Sequence, residues 1–260
     1  MIAVKGTWGI VLALCACASL NANIIGTPKT EFRESYALNP NGRIVVQNLY
    51  GDVQITAWDR DVVLVQAVKR TTDPRRLDDA QIVVDSSSNL VSIRTQYAGA
   101  DAEHPASVDY RIMVPRTANL ENVKLINGGL SISGLSGPVK ASSVNGSIHA
   151  EKLEGQADLS TVNGRLEAGF ERVSRSNPIN LSSVNGPIQL SIPSNSAAVV
   201  DAKNLSGGIE SEFGRPWRGA DGHRLKALVN HGGAQIRVHN VNGGISIKSS
   251  WSRKGTRPWS

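Results

Sequence analysis

KASSVNGSIHAEKLEGQADLSTVNGRLEA, residues 140–168, writes Val-Asn-Gly at 144–146 and again at 162–164, with Leu153-Glu154-Gly155 midway. Glycines therefore fall nine residues apart, and the beat runs back through Gly137 to Gly128 and recurs at Gly42 and Gly51. Counted from each glycine, apolar residues return at plus two, plus four and plus seven: Leu130, Ile132, Leu135; Ile148, Ala150, Leu153; Ala157, Leu159, Val162. The early pair obeys the same template with Ile44, Val46, Leu49 and then Val53, Ile55, Trp58. Two apolar residues separated by one polar residue mark a short strand with one buried face. The third apolar residue and the glycine mark a corner, at which Asn-Gly supplies positive φ. This reading predicts three inward apolar residues per nonapeptide, Trp58 in the core, and left-handed backbone at Gly146 and Gly164.

Asn-Gly also suits antiparallel hairpins, but one template on both halves of the unit favours a coil that turns the same way at every corner. The predicted fold class is all-β: a parallel β-solenoid whose two-strand coils take about 18–22 residues, each half-coil being a nonapeptide. Right-handed crossovers are the general rule for parallel strands. A single nonapeptide buries too little apolar surface to offset the entropy of ordering it, so the repeats fold only by stacking. Stacking would align Asn127, Asn145, Asn163 and Asn185 in one column, where side-chain amides bond from coil to coil.

The beat loosens where Gly186 follows Gly164 by 22 residues and Gly207 comes 21 later, which predicts loops at 171–178 and 193–197. It closes with VNGGISIKSSW, in which Ile245 and Ile247 keep the plus-two and plus-four positions. Between residues 60 and 119 the spacing vanishes, yet alternating runs at 62–68, 81–84, 90–95 and 108–114 read as longer strands of the same sheets. Residues 73–79, DPRRLDD, place proline at a first-turn position and predict one short helical turn.

Lys5 followed by an apolar run at 8–14 and small residues up to Ala22 has the order of a signal peptide. The expected cleavage is after Ala22, with Ala18 as the second choice and lipidation of Cys17 as the alternative that would anchor the chain. The domain reading is residues 1–22 signal peptide, 23–250 one solenoid, and 251–260 a basic tail containing tryptophan. The run is too short to span a bilayer. Both cysteines, Cys15 and Cys17, lie in this segment, so packing rather than disulfides must hold the rest. The formal charge of +6 loses only Lys5 with the first 22 residues. A mild basic excess on an exported protein fits an anionic envelope or polysaccharide and does not call for nucleic acid.

GRIVVQNLYGDVQITAWDRDVVLVQAVKR at 42–70, VDYRIMVPRTANL at 108–120 and the serial SVNG repeats together resemble the bacterial putative-adhesin family, over roughly residues 31–248. The resemblance implies a β-solenoid of exported or envelope proteins, with no catalytic residues to carry over and no cofactor.

Residues at plus three should face outward, and His149, Glu167, Gln189 and Glu210 are the candidate binding positions among them. Lys140 and Asp158, eighteen apart, should meet on adjacent coils. The rival reading is a carbohydrate-active β-helix lyase or hydrolase, for which neighbouring carboxylates such as Glu167 and Glu210 would do acid–base work. Calcium-binding nonapeptides need an aspartate behind each glycine pair; Leu130, Ile209 and Ile245 stand near those places, so no metal is assigned. His231 and His239 lack a cysteine or acidic partner nearby, and no G-x-S-x-G elbow occurs. Lys69, Arg70, Arg75 and Arg76, and in the tail Trp251, Arg253, Lys254, Arg257 and Trp259, are candidate contacts for an anionic surface or polysaccharide. The expected function is thus an exported, non-catalytic adhesin or envelope scaffold at the periplasm or cell surface, whose partner is a polysaccharide, an anionic surface or another protein.

Overall fold

The alternation of apolar and polar residues becomes strands that return, half a coil at a time, to two facing sheets. The structure is a computed structural model that describes residues 29–98, 106–213, 217–219 and 222–250. In spatial order the first sheet contains β1 (Lys29–Ala37), β4 (Val62–Arg70), β7 (Ser107–Pro115), β3 (Val53–Trp58), β9 (Leu130–Ser133), β11 (Ile148–Leu153), β13 (Leu166–Phe170), β15 (Ile188–Pro193), β21 (Ile245–Ser250) and β17 (Ile209–Ser211). The second contains β18 (Trp217–Arg218), β19 (Arg224–Val229), β16 (Ala198–Ser206), β20 (Ala234–Asn242), β14 (Ile179–Asn185), β12 (Ala157–Asn163), β10 (Val139–Asn145), β8 (Asn119–Asn127), β2 (Arg43–Tyr50), β6 (Leu90–Tyr97) and β5 (Ala80–Ser87). Each sheet keeps two free ends, so neither closes into a barrel. The chain is a β-solenoid: β8 to β15 alternate between the sheets, and each strand from β8 to β13 pairs in parallel with the strand two elements on.

Sequential stacking fails at both ends of the solenoid. The last coil, β20 with β21, inserts between β14/β15 and β16/β17, so the chain's final repeat sits one rung inside the stack. At the other end β2/β3 inserts between β6/β7 and β8/β9. Outside these rungs the pairing turns antiparallel: β4 on β7, β1 on β4 and β5 on β6 at one end, β19 on β16 and β18 on β19 at the other. A parallel stack leaves an open face of unpaired backbone at each end, and these strands cover it, except that the first sheet ends in β17 with no further strand among the described residues. The runs predicted at 62–68, 81–84, 90–95 and 108–114 are β4 to β7, and Pro74–Asp79 forms a 3-10 turn capped by Asp73, whose carboxylate accepts from the Arg75 amide.

Inward residues of both sheets form one core, to which the coil β12/β13 contributes Ala157, Leu159, Leu166, Ala168 and Phe170. A second inward column is polar: Asn48, Ser143, Thr161, Ser183, Asn204 and Asn240 are all buried. Apart from Ser183, its members donate to backbone carbonyls, with Thr161 Oγ1 bonded to Gly146 O at 2.9 Å and Asn240 Nδ2 to Gly186 O at 3.1 Å. Asn204 Nδ2 reaches Gly243 O at 2.7 Å. Near the start of the chain Asn48 donates to the Val108 carbonyl and accepts from Thr95 Oγ1, which also bonds the Tyr110 hydroxyl at 2.7 Å. Burial pushes the Tyr110 phenol up to about 12, with the Thr95 bond acting in the opposite direction.

The predicted amide column is present and longer than expected. Asn145 donates to Asn127, Asn163 to Asn145 and Asn185 to Asn163, each at 2.9 Å, and Asn242 adds a rung by donating to Asn185 at 3.0 Å. Beside it runs a column of glycines. A Cβ on Gly146 would overlap the carbonyl oxygen of Gly128, and one on Gly164 would lie 2.5 Å from the Gly146 oxygen. Glycine is required here because successive corners stack backbone on backbone. Left-handed φ does not account for Gly146, whose φ is not positive, although Gly164 has φ 153°.

Two further expectations are corrected. Leu49 and Val162 face outward, because Asn48 and Thr161 take the inward position next to them and the corner residue falls on the opposite face. Trp58 is only half-buried at the end of β3, its Nε1 donating to the Val62 carbonyl at 2.7 Å and its ring stacked under the Arg60 guanidinium.

Candidate binding surface

The outward corner residues of the second sheet are apolar on seven successive strands. Register aligns Leu49, Ile126, Val144, Val162, Val184, Val241 and Leu205 from β2 to β16. Their exposure is 36–42 % except at Leu205, where it reaches 72 %. Scattered surface hydrophobes are ordinary, but a contiguous apolar row on an outer face marks a contact surface. Two residues back along each strand lies a second outward row, Lys124, Ser142, Ser160, Ser182, His239 and Lys203, which Arg224 continues on β19. From Val144 and Ser142 onward the two rows line a shallow groove of about 720 Å³ that extends to Leu205 and is walled at one end by His223 and Arg224.

The groove is apolar along its length and cationic at that end. His239, Lys203 and Arg224 follow one another on β20, β16 and β19, in a row that carries no carboxylate. In the next row Lys140 faces Asp158, as the spacing predicted, and Asp201 lies between Arg237 and Lys226. Across β10 to β19 the outward charges are thus five Lys or Arg against two carboxylates. Beneath the groove Ser183 Oγ, Asn204 Oδ1 and Asn240 Oδ1 are buried without a hydrogen-bond partner among the described residues.

The candidate residues predicted from the plus-three position share one row on the other sheet. His149 pairs with Glu167 and Glu167 with Gln189, while Ser246 of the inserted strand separates Gln189 from Glu210. His149 Nδ1 lies 2.9 Å from Glu167 Oε2, and Arg165 approaches the other oxygen at 3.5 Å. Three strand spacings put Glu167 and Glu210 about 14 Å apart. Paired carboxyls of glycosidases stand about 5–9.5 Å apart, so these two do not form such a pair. A polar groove of about 680 Å³ at the β1 end of the same sheet contains Arg70 and Asp109, 2.9 Å apart, and Asp52, which accepts from the Gly129 amide.

Of the predicted basic contacts, Arg70 pairs with Asp109, Arg75 with Asp73, and Lys69 donates to the Leu77 carbonyl. Trp251, Arg253, Lys254, Arg257 and Trp259 lie outside the described residues, as do Cys17 and the expected cleavage sites. Among the described residues no three His, Cys, Asp or Glu side chains are grouped to hold a metal, and no helix is long and apolar enough to cross a membrane. The outward valines were not singled out from the sequence. Counting by two from Ala141 and Ala157's neighbour Leu159 would have reached Ser143 and Thr161, leaving Val144 and Val162 outside.

A model of the family Toastrack DUF4097 matches residues 23–248. The chain is similar to the crystal structure of a putative cell adhesion protein from Clostridium sporogenes, at 10 % identity and a TM-score of 0.48 over 85 % of this chain and 100 % of that one. It is also similar to a putative adhesin from Bacteroides fragilis, at 11 % identity and a TM-score of 0.40 over 85 % and 97 % of the two chains. A putative lipid binding protein from Parabacteroides distasonis matches at 13 % identity and a TM-score of 0.35, again over 85 % and 97 %. No curated protein matches the chain.

Proposed function

The chain belongs to the Toastrack DUF4097 family, and we propose that it is a non-catalytic binding module of the cell envelope that engages its ligand through the outer face of the second sheet. The observation that carries this reading is the seven-strand outward row from Leu49 to Leu205. A solenoid could close its corners with polar residues there, and the parts of the apolar side chains left in water contribute nothing to its stability. They contribute when a ligand covers them. Export by residues 1–22, or anchoring through Cys17, would bring the face to the periplasm or cell surface, with Trp251, Arg253, Lys254, Arg257 and Trp259 as accessory contacts. The alternative of a polysaccharide lyase or hydrolase loses its support with the wide spacing of Glu167 and Glu210.

The double substitution Val162→Asp with Val184→Asp tests the reading. Both positions are solvent-accessible, so the variant should keep the circular dichroism spectrum of the parent. Its sedimentation with isolated envelopes of the producing organism should weaken by about tenfold or more. Undiminished sedimentation would remove this face from the function.

A further inference from the structure

From the shape and charge of the groove we infer that it takes the acyl chain of a single anionic amphiphile, laid along the valines with its head group at Lys203 and Arg224. This inference rests on the proposal that the second sheet's outer face is the binding surface, and it names the chemistry of the occupant. Three features point to it.

The apolar floor is linear and one residue wide: Val144, Val162, Val184, Val241 and Leu205 follow one another on adjacent strands. Four strand spacings give this floor a length of about 19 Å, close to that of an extended acyl chain of about sixteen carbons. A protein partner would need a broader apolar core, because stable interfaces bury about 800 Å² on each side.

Among the residues that line the groove, lysine and arginine occur at one end of the floor only. Within the groove Ser142, Ser160 and Ser182 run beside the valines as neutral hydroxyls, and the lysine and arginine that line it, Lys203 and Arg224, stand together next to the most exposed apolar residue, Leu205, while Lys124 flanks Ser142 one strand outside the lining. An amphiphile has the same polarity: an apolar rod ending in one charged group. The cations select an anionic head, since a phosphate or carboxylate near two basic side chains gains charge-assisted hydrogen bonds. Finally, the first sheet lacks this combination. Its corresponding outer row reads Ser131, His149, Glu167, Gln189 and Ser246, with no apolar member.

The full chain is titrated calorimetrically with palmitoyl lysophosphatidylglycerol below its critical micelle concentration. Parallel titrations use palmitoyl lysophosphatidylcholine, of equal chain and zwitterionic head, and glycerol phosphate, the anionic head alone. Saturable binding of one anionic molecule per chain is expected, about tenfold tighter than the zwitterionic analogue, with none for the head alone. Lys203→Gln with Arg224→Gln should erase the preference while leaving the zwitterionic affinity in place, and Val162→Asp with Val184→Asp should abolish both.

Equal affinity for the two amphiphiles, strong binding of the head alone, or binding retained by the aspartate variant would overturn the assignment. So would attachment to anionic phosphatidylglycerol vesicles without binding of the monomer, which would mark a membrane-surface contact instead. Absence of amphiphile binding, with the aspartate variant still released from envelopes, would sink the amphiphile and leave the binding face standing. Amphiphile binding without any effect of that variant on envelope sedimentation would sink the functional reading.

Discussion

Gly146→Val destabilises the protein by about 4 kcal/mol or more, far beyond an ordinary surface change. The added Cβ overlaps the Gly128 carbonyl, and neither backbone can retreat: Gly128 N is bonded to Asn145 O at 3.1 Å and Gly146 N to Asn163 O at 3.0 Å. Moving one corner would break the amide column on both sides of it. Because the obstruction begins at Cβ, Gly146→Ala and Gly146→Asn should also be strongly destabilising. Asparagine is the informative case, since a turn that merely needed left-handed backbone would accept it readily. Gly208→Ala is the control: a Cβ there meets nothing within 4 Å, and the expected loss is under about 1 kcal/mol. Urea unfolding of the four variants measures these differences, and a tolerated Gly146→Asn would refute the stacked-corner account.

Removing residues 234–260 should unfold more than the residues removed. In a solenoid stacked in chain order, trimming the last coil costs one interface and leaves the rest intact. Here β20 and β21 lie between β14/β15 and β16/β17, so their loss deprives β16 of its parallel neighbour and β17 of the one strand it pairs with among the described residues. Ile236, Val238, Ile245 and Ile247 are fully buried in that rung. At about 1.5–3 kcal/mol each their burial contributes roughly 6–12 kcal/mol, an upper figure because unfolded chains already bury some surface. Limited proteolysis of the truncated chain should cut throughout 198–233 while sparing 107–193. By contrast, deleting Gly146 through Asn163 removes one whole coil from the regular middle and joins Asn145 to Gly164, restoring the Asn-Gly corner. That chain should stay folded, with a smaller loss of stability. Protection of 198–233 after the truncation would contradict the inserted position of the last coil.

The regular middle of the solenoid was legible because sequence spacing there equals spatial spacing: nine residues return the chain to the opposite sheet, eighteen to the same one. Hence the spacing alone draws the amide column through Asn127, Asn145, Asn163 and Asn185. Its next member, Asn242, was not foreseen, since chain order points to Ser206 after Asn185. A signal did exist: Val241-Asn242-Gly243 repeats the corner motif intact, whereas Leu205-Ser206-Gly207 puts a serine where the column needs an amide. The antiparallel caps lay beyond reach because alternation in β4 or β19 specifies a buried face and says nothing of strand direction. The outward valines were misread for a local reason. Plus-seven residues at one corner, Leu135 and Leu153, are buried, while at the other corner Val162 and Leu49 are exposed. One template covered two corners with opposite facing. The row of His149, Glu167 and Gln189 was legible as a row, but the insertion of Ser246 beside Gln189 was not, and that insertion carries Glu210 away from Glu167.

The face that binds can be located with single cysteines, since the chain's own two lie at positions 15 and 17 and their labelling can be subtracted. Val144→Cys, Val184→Cys and Val241→Cys probe the second sheet, and Ser131→Cys, Gln189→Cys and Ser246→Cys probe the first. Each variant is labelled with a maleimide alone and with isolated envelopes present. The account predicts slowed labelling at Val144, Val184 and Val241 and unchanged labelling at Ser131, Gln189 and Ser246. Protection confined to the first sheet, or equal protection of both, would contradict it.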